Sequence, residues 1–262
     1  MNQVDGLWRR RLMLTSGAAA IAVWVVGLPK LLGGRRSTLR FRDMPGLEPF
    51  QMLETTGTVS SAGAFLTGLD SSATPDPAEA ALIASVRADP CVALFGQQND
   101  PRLPIAFFSD FNCPNCRTLN AVLIAYDAKN PGTIRIIRHE LPLLGASSIT
   151  ASKAVLAADL QGGYTAMHDR LMRALMVTDL NYVERMAQSV GLDGPRLVAD
   201  MQSPEIETAL DKSKAIARLF GFYGTPSTVI GRSVFLGAIS AADVEQIIET
   251  ELAAPTLTCG TG

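Results

Sequence analysis

The sequence predicts an α/β protein with a mixed central sheet, helices on the sheet's faces and a block of helices inserted between its halves. From residue 103 onward the patterned segments run strand, helix, strand, a long helical stretch, then strand, strand, helix. That order layers helices on a mixed sheet. The strand segments are short apolar runs bounded by Gly, Pro or Asn, whereas the helical ones repeat apolar residues at three- and four-residue spacing. At 262 residues and 47% hydrophobic content, the chain can bury such a core as one domain with an insertion.

Residues 1–35 read as a signal or membrane anchor. "RRR" at Arg9–Arg11 precedes "LMLTSGAAAIAVWVVGL" (Leu12–Leu28), which has no charged residue, a charged region followed by an apolar one. The "RRRLML" stretch loosely resembles a twin-arginine export signal. No small-residue cleavage triplet stands at the distal end, so an uncleaved anchor is expected over a cleaved signal, although Lys30, Arg35 and Arg36 leave positive charge on both sides. The protein is thus expected on the periplasmic or extracytoplasmic side, held by this segment; a buried N-terminal helix of a cytoplasmic protein is the alternative. Residues 36–75 are rich in Gly, Ser, Thr and Pro without a sustained period, and read as a stalk or lead-in. Within it Phe41, Leu47, Phe50, Met52, Leu53 and Phe65 could lay part of the stretch on the main body.

Residues 76–145 form the first part of the frame. "DPAEAALIASVRADP" is a short helix with Asp76 as cap and Pro77 in the first turn, ended by Asp89-Pro90. "LPIAFFSD" (Leu103–Asp110) is an apolar strand. "CPNCRTLNAVLIAYDAKNPG" is a helix, with Leu119, Val122, Leu123 and Tyr126 on one face and Asn130-Pro131-Gly132 as its stop; "TIRIIRHE" is the next strand. Residues 146–220 are the helical insertion, broken at Gly162-Gly163, Gly191–Gly194 and Ser203-Pro204. Residues 221–262 complete the frame: "STVIG" and "SVFLGA" form a hairpin about Gly231-Arg232, and Ser240 caps a last helix.

Chemistry concentrates at the strand-to-helix junction. Cys113 starts the helix and Cys116 lies one turn inside it. Unpaired N–H groups and the positive helix end favour an anion at Cys113, making it the attacking thiolate. Pro114 starts the helix without losing a bond, and Cys116 is placed to resolve a mixed disulfide. A static disulfide or a buried thiol pair is the alternative. Zinc would need more ligands, and only His139 and His168 stand as histidines; no metal and no cofactor are expected. A net charge of -2, with no basic face interleaved with aromatics, gives nucleic acid no footing. Far along the chain, Gly224-Thr225-Pro226 precedes a strand. A cis Thr225–Pro226 bond would bring this bend beside the cysteines, with Thr225 leaving its main-chain groups free for an extended substrate; a trans proline opening the strand is the alternative.

"FSDFNCPNC", the helical insertion with "YTAMHDRLM", and "GTPSTVIGRSVFLGA" together resemble the DsbA-like thiol–disulfide oxidoreductases of the thioredoxin superfamily, over about residues 90–252. The resemblance implies a thioredoxin-like fold and exchange chemistry on cysteines of exported proteins or peptides. A membrane or soluble redox partner would reset the site. It also implies Cys113 as nucleophile, Cys116 as resolving cysteine and Pro226 as cis-proline preceded by Thr225. Asp110 fits the acidic position before the motif, in polar placement or proton handling. Asn115 stands where the strongly oxidising relative has histidine, and a neutral amide gives the thiolate less charge stabilisation. An anchored thioredoxin-fold binding or assembly protein with a structural disulfide is the competing class. Four cysteines allow three pairings; the Cys113–Cys116 pair leaves Cys91–Cys259, which an oxidising compartment favours over a free or intermolecular thiol at Cys259.

Overall fold

The computed structural model describes residues 38–55, 57–60, 77–97, 100–174, 177, 179–257 and 259. Contacts divide the chain between Thr38 and Leu39, and the architecture that follows belongs to the second unit. The expected signal or anchor, residues 1–35, together with Phe65 and the cap Asp76, lies outside the described residues.

Six strands make one sheet: β1 (Phe41–Asp43), β2 (Gln51–Leu53), β3 (Leu103–Ser109), β4 (Ile134–Glu140), β5 (Ser227–Ile230) and β6 (Ser233–Leu236), in the order β1-β2-β6-β5-β3-β4. β3 runs parallel to β4, from Leu103 opposite Ile134 to Ser109 opposite Glu140, and antiparallel to β5. β5 and β6 form the hairpin, turning at Gly231 and Arg232. Nine helices are described: α1 (Pro77–Ala88), α2 (Pro90–Phe95), α3 (Pro114–Lys129), α4 (Ala146–Asp159), α5 (Tyr164–Met172), α6 (Leu180–Ser189), α7 (Gly194–Asp200), α8 (Pro204–Phe220) and α9 (Ala241–Ala253).

β3 reads as a continuous apolar run because both of its faces are covered. Successive side chains on a strand point to opposite faces. Ile105 and Phe107 join Leu119 and Leu123 of α3 and Val244, Ile247 and Ile248 of α9. Ala106 and Phe108 join Leu94 and Phe95 of α2 and Ile216 and Phe220 of α8 on the other face. Leu119 and Leu123 are fully buried, each stabilising by about 1.5–3 kcal/mol through removal from water. This packing fixes α3 over the sheet and holds its N-terminus, with the cysteines, at the end of β3.

The insertion, α4 to α7 with the start of α8, has its own core: Ala151, Ala154, Val155, Met167, Leu171, Val183, Leu197, Ile206 and Leu210. α4 is buried on most of its circumference, at Ser148, Ala151, Ser152, Ala154, Val155, Ala157 and Ala158, and its small side chains let neighbouring helices approach. α8 ties the two bodies together, giving Ile206 and Leu210 to the insertion and Ala215, Ile216 and Phe220 to the sheet core.

Three details differ from the sequence reading. The segment read as a stalk or lead-in supplies two strands, β2 pairing parallel with β6 and β1 antiparallel with β2, while Leu47, Phe50, Met52 and Leu53, named as able to lay it on the main body, are indeed buried. Strands this short carry too few residues to show a period of two. Asp89 ends α1 but also starts α2, its carboxylate accepting from Val92 N at 2.8 Å, so Cys91 lies within a helix rather than in a connection. The insertion breaks once more, between α5 and α6, where Asp179 caps α6 by accepting from Tyr182 N.

Candidate active site

Cys113 is the N-cap residue of α3. Its backbone is extended (φ -85°, ψ 113°) and its sulfur accepts from the Cys116 N–H at 3.1 Å. Pro114 occupies the first turn, where a missing N–H costs nothing. Both thiols are free and wholly buried. Their environments push them apart. Cys113 is lowered to about 6, chiefly by the hydrogen bond from the Cys116 thiol against the opposing effect of burial. The Ser60 side chain and the Cys116 N–H add to the lowering. Cys116 is driven far upward by burial and by the adjacent Cys113. One sulfur is therefore an anion near neutral pH while the other keeps its proton, which is the asymmetry exchange chemistry uses.

The Thr225–Pro226 bond is cis, and the Cys113 thiol points at the Thr225 carbonyl, 3.5 Å away. The bend before β5 thus meets the end of β3, as the β3–β5 pairing of Phe108 with Ser227 requires. The main-chain groups of Thr225 are not free, contrary to the sequence reading. Ser60 N donates to Thr225 O at 2.7 Å and Thr225 N donates to Ser60 O at 2.9 Å. Asn115 also turns to this segment, its Nδ2 donating to Ser60 Oγ at 3.2 Å.

Asp110 is fully buried, and its carboxylate is committed to loop geometry. It accepts from Asn112 N, Leu143 N, Leu144 N and the Ser148 hydroxyl at 2.7–2.9 Å. Asn112 adds a bond from Nδ2 to Ser147 Oγ at 2.7 Å. These contacts fasten the cysteine loop to the β4–α4 connection and the start of the insertion. A buried carboxylate needs such donors to offset its lost hydration.

Neither histidine serves the site. His139 stacks on Phe108 at 4.4 Å, bonds the Leu94 carbonyl at 2.8 Å, and is lowered to about 4 by burial. His168 packs between Tyr164 and Phe111 and is likewise lowered to about 4 by burial. Among the described residues no group of three or more His, Cys, Asp or Glu lies together as a metal site would require. Cys91 and Cys259 are disulfide-bonded, with Cα atoms 5.3 Å apart, and pack on the core beside α2. Ser60 and the Leu143–Leu144 amides are site components that sequence reasoning did not find. Both arrive by long-range contact from stretches with no local motif.

A mixed sheet carrying a helix-capping CxxC thiol, a cis-proline bend beside it and an inserted helical domain defines the DsbA-like branch of the thioredoxin fold. The chain belongs to that family: residues 104–249 match the DSBA-like thioredoxin domain, which places the protein among the thiol–disulfide oxidoreductases. It is similar to a thioredoxin-like oxidoreductase from Silicibacter pomeroyi DSS-3, at 31% identity and a TM-score of 0.58, over 63% of this chain and 99% of that one. It is also similar to the catalytic domain of Proteus mirabilis ScsC, at 27% identity and a TM-score of 0.55, over 66% and 98% of the two chains. A periplasmic thioredoxin-like protein from Salmonella enterica serovar Typhimurium matches at 25% identity and a TM-score of 0.53, over 62% and 95%. No curated protein matches the chain. Among the described residues no helix is long and apolar enough to cross a membrane.

Proposed function

We propose that the protein exchanges disulfides with cysteines of exported proteins or peptides, using Cys113 as nucleophile and Cys116 as resolving thiol. The observation that carries this reading is the place of Cys113 at the N-cap of α3, its sulfur accepting from the Cys116 N–H at 3.1 Å and lying 3.5 Å from the Thr225 carbonyl, an arrangement that lowers one thiol and raises the other. In the reducing direction the Cys113 thiolate attacks a client disulfide. A Cys113–client bond forms and the client's other sulfur leaves as thiolate. Cys116 then gives up its proton to the departing client sulfur and attacks Cys113, releasing the client's second sulfur as a thiol and closing the Cys113–Cys116 disulfide. Two electrons have passed to the client. In the oxidising direction a client thiolate attacks that disulfide and the steps run in reverse. The direction follows the pair's potential relative to its compartment and to the thiol or disulfide partner that resets it. Pro226 and Thr225 form the client-facing bend, Pro114 and Asn115 tune the thiolate, and Asp110 holds the loop. An extracytoplasmic location, with residues 1–35 as signal or anchor, is supported by the apolar run after Arg9–Arg11 and by the periplasmic relative.

The test is turnover of a reduced or scrambled disulfide protein by the purified protein. Wild type should accelerate disulfide exchange and Cys113→Ser should not. Equal rates would remove the assignment.

A further inference from the structure

Extended peptides are commonly bound by adding a strand, so that main-chain hydrogen bonds give affinity and side-chain pockets give selectivity. At this site the rim residue that could accept such a strand is Thr225, beside the nucleophile. Both its main-chain groups are already used. Ser60 and Thr225 exchange N–H···O bonds of 2.7 and 2.9 Å, the pattern of a hydrogen-bonded antiparallel pair. The pairing continues away from the site. Thr58 and Ala238 exchange bonds of 3.3 and 3.0 Å, and Gly57 N donates to Leu236 O at 2.7 Å. At the end of this described stretch the Ser60 hydroxyl lies beside Cys113 and accepts from Asn115. Cys113 has no exposed surface, so a client sulfur cannot reach bonding distance in this arrangement.

The close approach depends on glycine. A Cβ on Gly57 would lie 2.5 Å from the Ala238 carbonyl oxygen, and one on Gly237 would lie 2.3 Å from the Gly57 carbonyl carbon. Both opposing atoms are backbone and cannot rotate away.

We propose that Gly57–Ser60 is a built-in occupant of the client strand position, and that a client gains Cys113 by displacing it. This rests on the exchange reading of the site. A client strand would take over the Thr225 N–H and C=O while its sulfur replaces the Ser60 hydroxyl at Cys113. Ser60 then has two roles: it favours the resting thiolate, and it sets which clients enter, because only those that outbid its hydrogen bonds do so. Gly57 offers a lever outside the chemical machinery. Gly57→Leu cannot seat against Ala238 and should release the strand.

The test reads access directly. Reduced full-length wild type and Gly57→Leu are alkylated with iodoacetamide well above the Cys113 titration, where every molecule carries the thiolate. Modification at Cys113 is followed by peptide mass. The variant should react about tenfold faster, the shift expected when a few main-chain hydrogen bonds no longer favour the closed state. Equal rates in a folded variant would overturn the proposal. A second measurement does not depend on that variant's folding. A cysteine peptide is attached to Cys113 of Cys116→Ser through an activated pyridyl disulfide, and amide hydrogen exchange is compared with and without it. The Thr58 and Ser60 amides should lose protection on attachment; protection that persists with the peptide in place contradicts the displacement. Neither readout needs turnover. An inactive protein that released its strand would defeat only the exchange reading, and an active one whose strand stayed would defeat only this proposal.

Discussion

Cys116→Ala removes the donor that contributes most to holding Cys113 as a thiolate. A hydrogen bond to a charged group contributes about 1.5–3 kcal/mol, and one pKa unit corresponds to about 1.36 kcal/mol. The Cys113 titration should therefore rise by roughly one to two units from its value of about 6. The Cys116 N–H, which caps onto the sulfur at 3.1 Å, survives in alanine and limits the rise. Cys116→Ser keeps an O–H donor at the same place and should move the titration less. The assay is the alkylation rate of reduced protein against pH, fitted for its midpoint in wild type and both variants. An alanine midpoint at or below that of wild type would refute the claim that the resolving thiol tunes the nucleophile. The same shift appears in stability. Cys113 loses its proton in the folded protein near pH 6, whereas in the unfolded chain it keeps it to about 8.5. Between those values the unfolded state binds more protons, so the reduced protein gains stability as pH rises, by roughly 3–4 kcal/mol at most. That gain is absent below the folded value and complete above the unfolded one. Cys116, displaced upward, works the other way, its contribution being lost only as pH climbs beyond its unfolded value.

Asp110→Asn sets an amide NH₂ against main-chain N–H donors that now meet a carboxylate oxygen. Urea unfolding should show a loss of about 2–4 kcal/mol, and a change within about 0.5 kcal/mol would show that its carboxylate does not hold the loop. Replacing Cys91 and Cys259 together by alanine opens a loop with a sequence separation of 168. It should cost roughly 2–5 kcal/mol in denaturant; coincident melts would show that the bridge does not stabilise the fold. Asn115→His places a titratable cation near the helix start. It should lower the Cys113 titration by about one unit and make the disulfide more oxidising by about 30 mV in glutathione equilibration; unchanged values would remove the account of the intervening dipeptide.

The frame was legible because its elements carry strong local patterns. The apolar run of β3, the Leu119–Leu123 face of α3 and the Gly231-Arg232 hairpin each state their own geometry, and the cysteines sit at a junction those patterns locate. The cysteine loop was legible in position but not in support. Leu143, Leu144 and Ser148 meet Asp110 across more than thirty residues, and nothing local marks an amide as a partner for a distant carboxylate. β1 and β2 escaped because three-residue strands are stabilised by pairing and by burial of Phe50 and Met52, not by alternation. Ser60 escaped for the same reason. Its role is created by Thr225 and Cys113 arriving beside it, in a stretch whose composition reads as linker.

The most direct test of the account is the identity of the sulfur that clients meet. Cys116→Ser protein is incubated with a peptide disulfide, quenched with acid, and the mixed disulfide located by mass spectrometry of non-reduced fragments. Peptide should be linked to Cys113, in a fraction that grows as pH is raised through the Cys113 titration of this variant, and none should be linked in Cys113→Ser carrying an intact Cys116. Peptide captured by Cys116 in Cys113→Ser as fast as by Cys113 in Cys116→Ser would contradict it.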